Sequence, residues 1–214
     1  MSRPSKPIRL YRFSLSGHSH RIELFLSLLG LPTQLVDIDL RTGQHKTPEF
    51  LRLNPFGQVP VLEDESEDDN VVLADSNAIL VYLAKKYGDK SWLPDDALQA
   101  ARVQRWLSVA AGPLAYGPAA ARRITVFGAK LNAVEVQESA HALLRVINAA
   151  LAETLFLVGD QPTIADIANY SYIAHAPEGD VSLREYSNIK AWIARIEKLP
   201  GFVPMPKTAV GCAE

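Results

Sequence analysis

The sequence predicts an α/β N-terminal domain of order βαβαββα followed by an all-α helical-bundle C-terminal domain. Three observations carry this. Short strand-like runs alternate with helical stripes up to residue 87, and only helical periodicity follows from residue 95. Between them lies a stretch with Gly88, Pro94 and several charges, the best linker in the chain. The boundaries that follow are 1–86 for the first domain, 87–96 for the linker and 97–214 for the second domain.

Each element has its own signal. Ile8-Arg9-Leu10-Tyr11-Arg12-Phe13 alternates like a strand. Ile22, Phe25, Leu26 and Leu29 then fall at i, i+3, i+4 and i+7 of one helix, which Gly30 closes and Pro32 prevents from continuing. Residues 33–40 form a second strand rich in Leu, Val and Ile. A short helix over 47–53 has Thr47 as cap and Pro48 at its first position. Val59-Pro60-Val61-Leu62 and Val71-Val72-Leu73 read as a hairpin, and residues 75–87 are helical again, with Leu80, Leu83 and Tyr87 on one side. The first βαβ unit implies a parallel pair joined by a right-handed crossover, to which the hairpin adds antiparallel strands. That mixed sheet is the thioredoxin-like layout, in an order that other α/β folds share. In the second domain, helices are expected over 97–127, 132–155, 163–176 and 185–198, the first bent or broken at Gly112-Pro113 and Gly117-Pro118. Thr163-Ile164-Ala165-Asp166 is a capping box that starts its helix sharply.

Composition narrows the function. Among 214 residues, 48% are hydrophobic and 21% charged, with a net charge of -2, so no electrostatic case exists for nucleic acid or an anionic membrane. No apolar run approaches the roughly 18 residues that span a bilayer. The basic first residues lead into a strand rather than a signal-peptide apolar stretch, so a cytoplasmic protein is expected. Cys212 is the single cysteine, which excludes an internal disulfide and a dithiol motif, and no metal is expected. The acidic run Glu63-Asp64-Glu65-Ser66-Glu67-Asp68-Asp69 reads as a self-repelling, solvated hairpin tip rather than a cation site.

Several residues invite chemistry. A proline opening a strand, as in Val59-Pro60, gives up a ladder hydrogen bond and by itself reads as an edge-strand proline. Asp75-Ser76 opens a helix, where unpaired N–H groups and partial positive charge suit a carboxylate ligand, and where Asp is also an ordinary cap. Ser14 and Ser16 lie between the first strand and first helix, where hydroxyls form caps and turns or donate to an anion. His45-Lys46 is a polar loop that can hold an anionic group.

Together with Leu10-Tyr11 and Ser16, four further runs complete a pattern: Gly43-Gln44-His45-Lys46, Glu49-Phe50, Asn54-Pro55-Phe56-Gly57-Gln58-Val59-Pro60-Val61-Leu62 and Ala74-Asp75-Ser76-Asn77-Ala78-Ile79. In this order and spacing they resemble the N-terminal domain of the cytosolic glutathione transferases, above all the theta-type and related serine-using bacterial forms. The box at Thr163 to Asp166 matches that family's C-terminal domain, so the resemblance covers nearly the whole chain.

The resemblance implies a cytosolic detoxification enzyme with glutathione as co-substrate. It implies a cis bond before Pro60, which turns the N–H and C=O of Val59 toward the cysteinyl unit of the tripeptide in strand-addition fashion. Ser76 then meets the γ-glutamyl carboxylate, and Asp75, one methylene shorter than the Glu usual in the family, faces the α-amino group. His45, Gln58 and, less firmly tied to the pattern, Lys46 hold the glycyl end. Ser16, five residues before Arg21, is the thiol-activating residue, with Ser14 as the alternative. Lowering a thiol pKa from about 8.5 to about 6.5 takes roughly 2.7 kcal/mol. One charge-assisted hydrogen bond supplies roughly 1.5–3 kcal/mol, and the serine need not ionise. Tyr11 is read as a strand core residue.

The second substrate, a small electrophile or disulfide, is expected against His18, Tyr116, Arg122, Arg123 and Phe127. The implied product is a thioether. Disulfide reduction, isomerisation, dehalogenation and non-catalytic glutathione binding are the alternatives on this fold. A homodimer is implied as well, with Phe56 at a place where interface side chains occur.

Overall fold

The computed structural model describes residues 3–66 and 70–212. It divides into two compact units, residues 1–90 with 200–205 and residues 91–199 with 206–214. The sequence pattern does not signal that residues 200–205 join the first unit. They are tied there by Ser27 Oγ donating to the Gly201 carbonyl at 2.7 Å and His20 Nε2 donating to that of Val203 at 2.9 Å.

The first unit contains β1 (Ile8–Arg12), α1 (Gly17–Leu28), β2 (Thr33–Asp37), a 3-10 turn (Gln44–Lys46), α2 (Pro48–Leu53), β3 (Val61–Asp64), β4 (Val71–Ala74) and α3 (Ser76–Lys86). The order across the sheet is β2-β1-β3-β4, with β1 parallel to β2 and both the β1–β3 and β3–β4 pairs antiparallel. Leu10, Leu62 and Leu73 are register partners on one face, whereas Tyr11, Val61 and Ala74 lie on the other. The Tyr11 face joins Ile38 and Phe50 in one apolar cluster. Tyr11 meets Phe50 edge-on, and its hydroxyl donates to Glu63 at 3.0 Å, as befits a strand core residue. Helices α1 and α3 contact each other and their flanking strands.

Two details differ from the sequence pattern. Strand β3 starts at Val61, after Val59-Pro60, because Pro60 has no N–H to offer a ladder. It also runs on through Glu63 and Asp64, which are therefore not part of a solvated tip. Both are buried: Glu63 pairs with Arg9 at 3.3 Å, and Asp64 is a hub. Asp64 accepts from Tyr82 at 2.7 Å, Tyr87 at 2.6 Å and Ser66 Oγ at 2.5 Å, with Lys86 Nζ at 3.3 Å. Glu65 pairs with Lys6 and Arg9. Glu67, Asp68 and Asp69 lie outside the described residues.

The second unit contains α4 (Ala97–Ala111), α5 (Pro113–Tyr116), α6 (Pro118–Phe127), α7 (Ala133–Ala150), α8 (Ile164–Ala174), a 3-10 turn (Ala176–Gly179) and α9 (Ser187–Glu197). Gly112-Pro113 and Gly117-Pro118 break the 97–127 run into α4, α5 and α6, each proline standing at the first position of the new helix. The capping box is formed, and its Asp166 is fully buried. Its carboxylate accepts from the Thr163 and Leu157 main-chain N–H groups and from Trp192 Nε1, each at 2.9 Å. One side chain thus joins α8, the loop before it and α9. Among the described residues no helix is long and apolar enough to cross a membrane.

Burial alone would raise the Asp64 pKa, but hydrogen bonds from Ser66, Tyr87 and Tyr82 outweigh it and hold the carboxyl at about 2. A carboxyl depressed below its unfolded value of about 3.9 contributes stability that is complete above that value and is lost as pH falls through the folded one. Urea unfolding is therefore expected to show stability declining from about pH 4 toward about pH 2, and Asp64→Asn to flatten that decline while lowering stability at neutral pH.

Candidate active site

Strand direction gathers the nominated residues. Because β3 is antiparallel to both β1 and β4, strands β1, β2 and β4 all finish at one edge of the sheet, and β3 begins there. The segments holding Ser14 and Ser16, His45 and Lys46, Gln58 to Pro60, and Asp75 and Ser76 all leave the sheet at this edge. Val61 and Ala74 are the last register pair at this edge, so the chain just before Val61 and the chain just after Ala74 leave the ladder side by side.

At the first segment, the Ser16 N–H closes a turn onto the Phe13 carbonyl at 2.9 Å, and Ser16 caps α1 by accepting the Ser19 N–H at 3.3 Å. That bond uses a lone pair of Oγ and leaves its proton for donation. The half-buried Ser14 lies within the turn, and its hydroxyl has no hydrogen-bond partner among the described residues. Position alone does not separate the two serines, but Ser16 stands at the helix N-terminus, where negative charge is favoured.

The loop 54–58 is built by Asn54, which is buried. Its Nδ2 donates to the Gln58 carbonyl at 2.8 Å, and its Oδ1 accepts the Phe56 N–H at 3.1 Å. The Val59–Pro60 bond is cis. Among the described residues neither the N–H nor the C=O of Val59 is hydrogen-bonded, nor is the exposed Gln58 amide. Gly57, at φ 57°, lets this loop approach the 44–46 turn, since a Cβ there would sit 2.7 Å from the His45 carbonyl. Lys46 Nζ spans the same gap, donating to the carbonyls of Phe56 at 3.3 Å and Gly57 at 3.1 Å. Its ammonium is thus engaged in holding the loop. His45 is half-buried, and its enclosed Nδ1 finds no partner among the described residues.

At the third segment, one oxygen of the exposed Asp75 caps α3 by accepting the N–H groups of Asn77 at 2.9 Å and Ala78 at 3.1 Å. Its other oxygen and the Ser76 N–H have no hydrogen-bond partner among the described residues. Asp75 holds φ at 67°, unusual for a residue with a Cβ. Ser76 is buried, and its Oγ accepts from Arg21 Nη1 at 3.1 Å and lies 3.3 Å from His18 Nδ1. Arg21 is fully buried and also donates to Asn77 Oδ1 at 2.9 Å. Nothing in the spacing that places Arg21 five residues after Ser16 assigns its side chain a partner. A cation beside Ile22 and Phe25 on an apolar helix was the signal that it has buried partners. His18, expected against the second substrate, has its Nδ1 directed to Ser76.

On the helical unit, Tyr116 is 76% and Phe127 43% exposed, and Arg123 is exposed as well. Arg122 is not. It is buried, donates from Nε to Glu178 at 2.6 Å and stacks over the Phe127 ring, so its side chain is committed to the fold rather than to a substrate. The carboxylate of Glu178 is shared with His175 Nδ1 at 2.8 Å and the Thr208 N–H at 3.0 Å. Among the described residues no three His, Cys, Asp or Glu side chains are grouped to hold a metal ion.

Residues 15–86 match the model of the glutathione S-transferase N-terminal domain, and residues 109–200 that of the C-terminal domain. Glutathione S-transferase 3 of Zea mays is 35% identical, covering 94% of this chain and 96% of its own. The chain belongs to the glutathione S-transferase family. A solved glutathione S-transferase from Pseudomonas fluorescens superposes with a TM-score of 0.88 at 33% identity, covering 94% of this chain and all of that one. A glutathione transferase homolog from Drosophila mojavensis, solved with bound glutathione, gives 0.81 at 29% identity over 91% of this chain and 89% of its own. The disulfide-bond oxidoreductase YfcG of Escherichia coli is 32% identical over 90% of this chain and 91% of its own. The thioredoxin-like N-terminal domain and all-helical C-terminal domain are those of this transferase family.

Substituting Gly57 tests the loop that carries Gln58 and Val59. An alanine there faces both the left-handed backbone and the His45 carbonyl, so Gly57→Ala is expected to destabilise by about 1–3 kcal/mol in urea unfolding. It is also expected to raise the KM for glutathione more than it lowers kcat.

Proposed function

We propose that this transferase binds glutathione along the edge where β1, β2 and β4 end and conjugates it to an electrophile, with Ser16 stabilising the thiolate. One observation carries the reading. At that edge, among the described residues, stand an unpaired N–H and C=O on Val59 and an unpaired N–H on Ser76, with a spare carboxylate oxygen on Asp75. A γ-glutamyl tripeptide complements this set. Its cysteinyl main chain pairs with Val59, its α-carboxylate meets Ser76 at the α3 N-terminus, and its ammonium meets Asp75. Gln58 and His45 take the glycyl end. The unpaired Nδ1 of His45 is open to a ligand hydrogen bond.

In the reaction the thiol loses its proton to solvent and the thiolate attacks the electrophilic carbon. The C–S bond forms as the displaced group departs with its electron pair. The Ser16 proton and the α1 dipole lower the energy of the anionic sulfur throughout, while binding supplies orientation. Tyr116, Arg123 and Phe127 are the side chains proposed to meet the second substrate. A cytoplasmic setting fits, because a thiol co-substrate stays reduced there. The YfcG relative favours a second reading, in which glutathione thiolate attacks a disulfide sulfur and a second glutathione resolves the mixed disulfide. The first site is the same in both.

Ser16→Ala is expected to raise the bound-thiol pKa by about 1–2, read from thiolate absorbance, and to lower kcat/KM about 10–100-fold with affinity kept within about twofold. The same loss in Ser14→Ala instead moves the role to Ser14, and no loss in either removes the serine mechanism. Running a chloronitrobenzene and a mixed disulfide in parallel decides between the two reactions.

We further propose a homodimer in which Phe56 is buried. The ring is 79% exposed in the single chain, and burying it is worth roughly 1.5–3 kcal/mol. Sedimentation is expected to find a dimer for the native chain and a shift toward monomer for Phe56→Glu.

A further inference from the structure

In the chain Arg21–Ser76–His18 the first two side chains are buried and His18 is half-buried, and the direction of its protons matters. Ser76 Oγ has one proton and two lone pairs. Arg21 Nη1, which can only donate, fills one lone pair at 3.1 Å. His18 Nδ1, at 3.3 Å, accepts the Ser76 proton in one neutral tautomer and donates into the second lone pair in the other. A carboxylate only accepts, so it engages this hydroxyl only when the Ser76 proton is turned toward it.

We propose that His18 is the positioning residue for Ser76, its ring exchanging tautomer when a ligand carboxylate reaches the N-terminus of α3. Without ligand, Nδ1 accepts the Ser76 proton and Nε2 carries the ring proton. With the carboxylate present, the ring proton is on Nδ1, both Ser76 lone pairs are filled by Arg21 and His18, and the hydroxyl proton goes to the ligand. The ring proton moves from Nε2 to Nδ1 by exchange with solvent, the ring stays neutral, and no net proton is taken up. Burial, with the charge of Arg21, holds the His18 pKa at about 3, so the neutral ring is the working form. The aromatic ring suits this task because it offers a donor or an acceptor from one place without moving. This inference rests on the glutathione reading of the site.

Nitrogen-15 NMR of histidine-labelled protein tests it directly, with S-methylglutathione as the probe. The His18 Nδ1 signal is expected to move from the unprotonated to the protonated range on saturation, and Nε2 to move the opposite way. His18→Leu is expected to weaken S-methylglutathione binding about fivefold and to raise the KM for glutathione more than it lowers kcat. His18→Asn, whose amide can also accept or donate, is expected to restore binding to within about twofold of the native value. Binding with no tautomer exchange, or undiminished affinity in His18→Leu, overturns the role of His18 and leaves the glutathione reading standing. Failure of the native chain to bind the probe overturns both.

Discussion

The site depends on strand direction. Parallel pairing of β1 with β2 requires the α1 crossover, and that crossover delivers the N-terminus of α1 to the edge where β1 ends. The β3–β4 hairpin reverses the chain twice relative to β1, so β4 ends and α3 begins at the same edge. Main-chain groups just beyond a ladder have no built-in partners, and neither do those in the first turn of a helix. An edge collecting three strand ends, one strand start and two helix starts is therefore rich in unpaired donors and acceptors. The chemistry is local to side chains, but its location is a property of topology.

Charge sharpens what the edge can hold. Each helix N-terminus is equivalent to roughly half a positive charge, and the Arg21 guanidinium adds a full one between α1 and α3. Removing such a cation from water costs several kcal/mol unless hydrogen bonds and nearby charge offset it. Ser76 and Asn77 accept from it, which also binds the starts of the two helices together. A ligand bringing a carboxylate to one helix and a sulfur that becomes anionic at the other matches this field. Burial first, and the Arg21 charge second, disfavour a protonated His18 and lower its pKa.

What was legible in the sequence was what local chemistry decides. Pro48 after Thr47, the two Gly-Pro pairs and the Thr163 box each fix the backbone within four residues, and each stands where its pattern put it. The family, the two-part architecture and the segments that meet at the edge were legible through order and spacing. Partnerships between distant side chains were not. Glu63 and Asp64 read as solvated because six acidic residues within seven repel one another, yet Arg9, Tyr82 and Tyr87 supply the partners that bury them. Arg122 read as a pocket wall because its partner Glu178 lies 56 positions away in the chain. Lys46 has the charge to bind an anion, but its ammonium holds two carbonyls of its own chain.

Asp75 shows how magnitudes separate structure from function at one residue. As a helix cap it accepts two N–H groups, a role usually worth about 1 kcal/mol. Thr47, Asp96 and Asn132 fill the same role from ordinary extended backbone, with φ of -69°, -61° and -72°. Asp75 does so at φ 67°, a conformation that costs a residue with a Cβ on the order of 1–3 kcal/mol. Capping can be had without that cost, so capping does not explain the backbone. What this turn adds is direction: it starts α3 immediately after β4, just past the Val61–Ala74 pair, and among the described residues one carboxylate oxygen and the Ser76 N–H stay unpaired there. A strained residue that places a free acceptor beside a free donor fits a site for an amino acid's ammonium and carboxylate, and ligand binding is the term that can outweigh the strain.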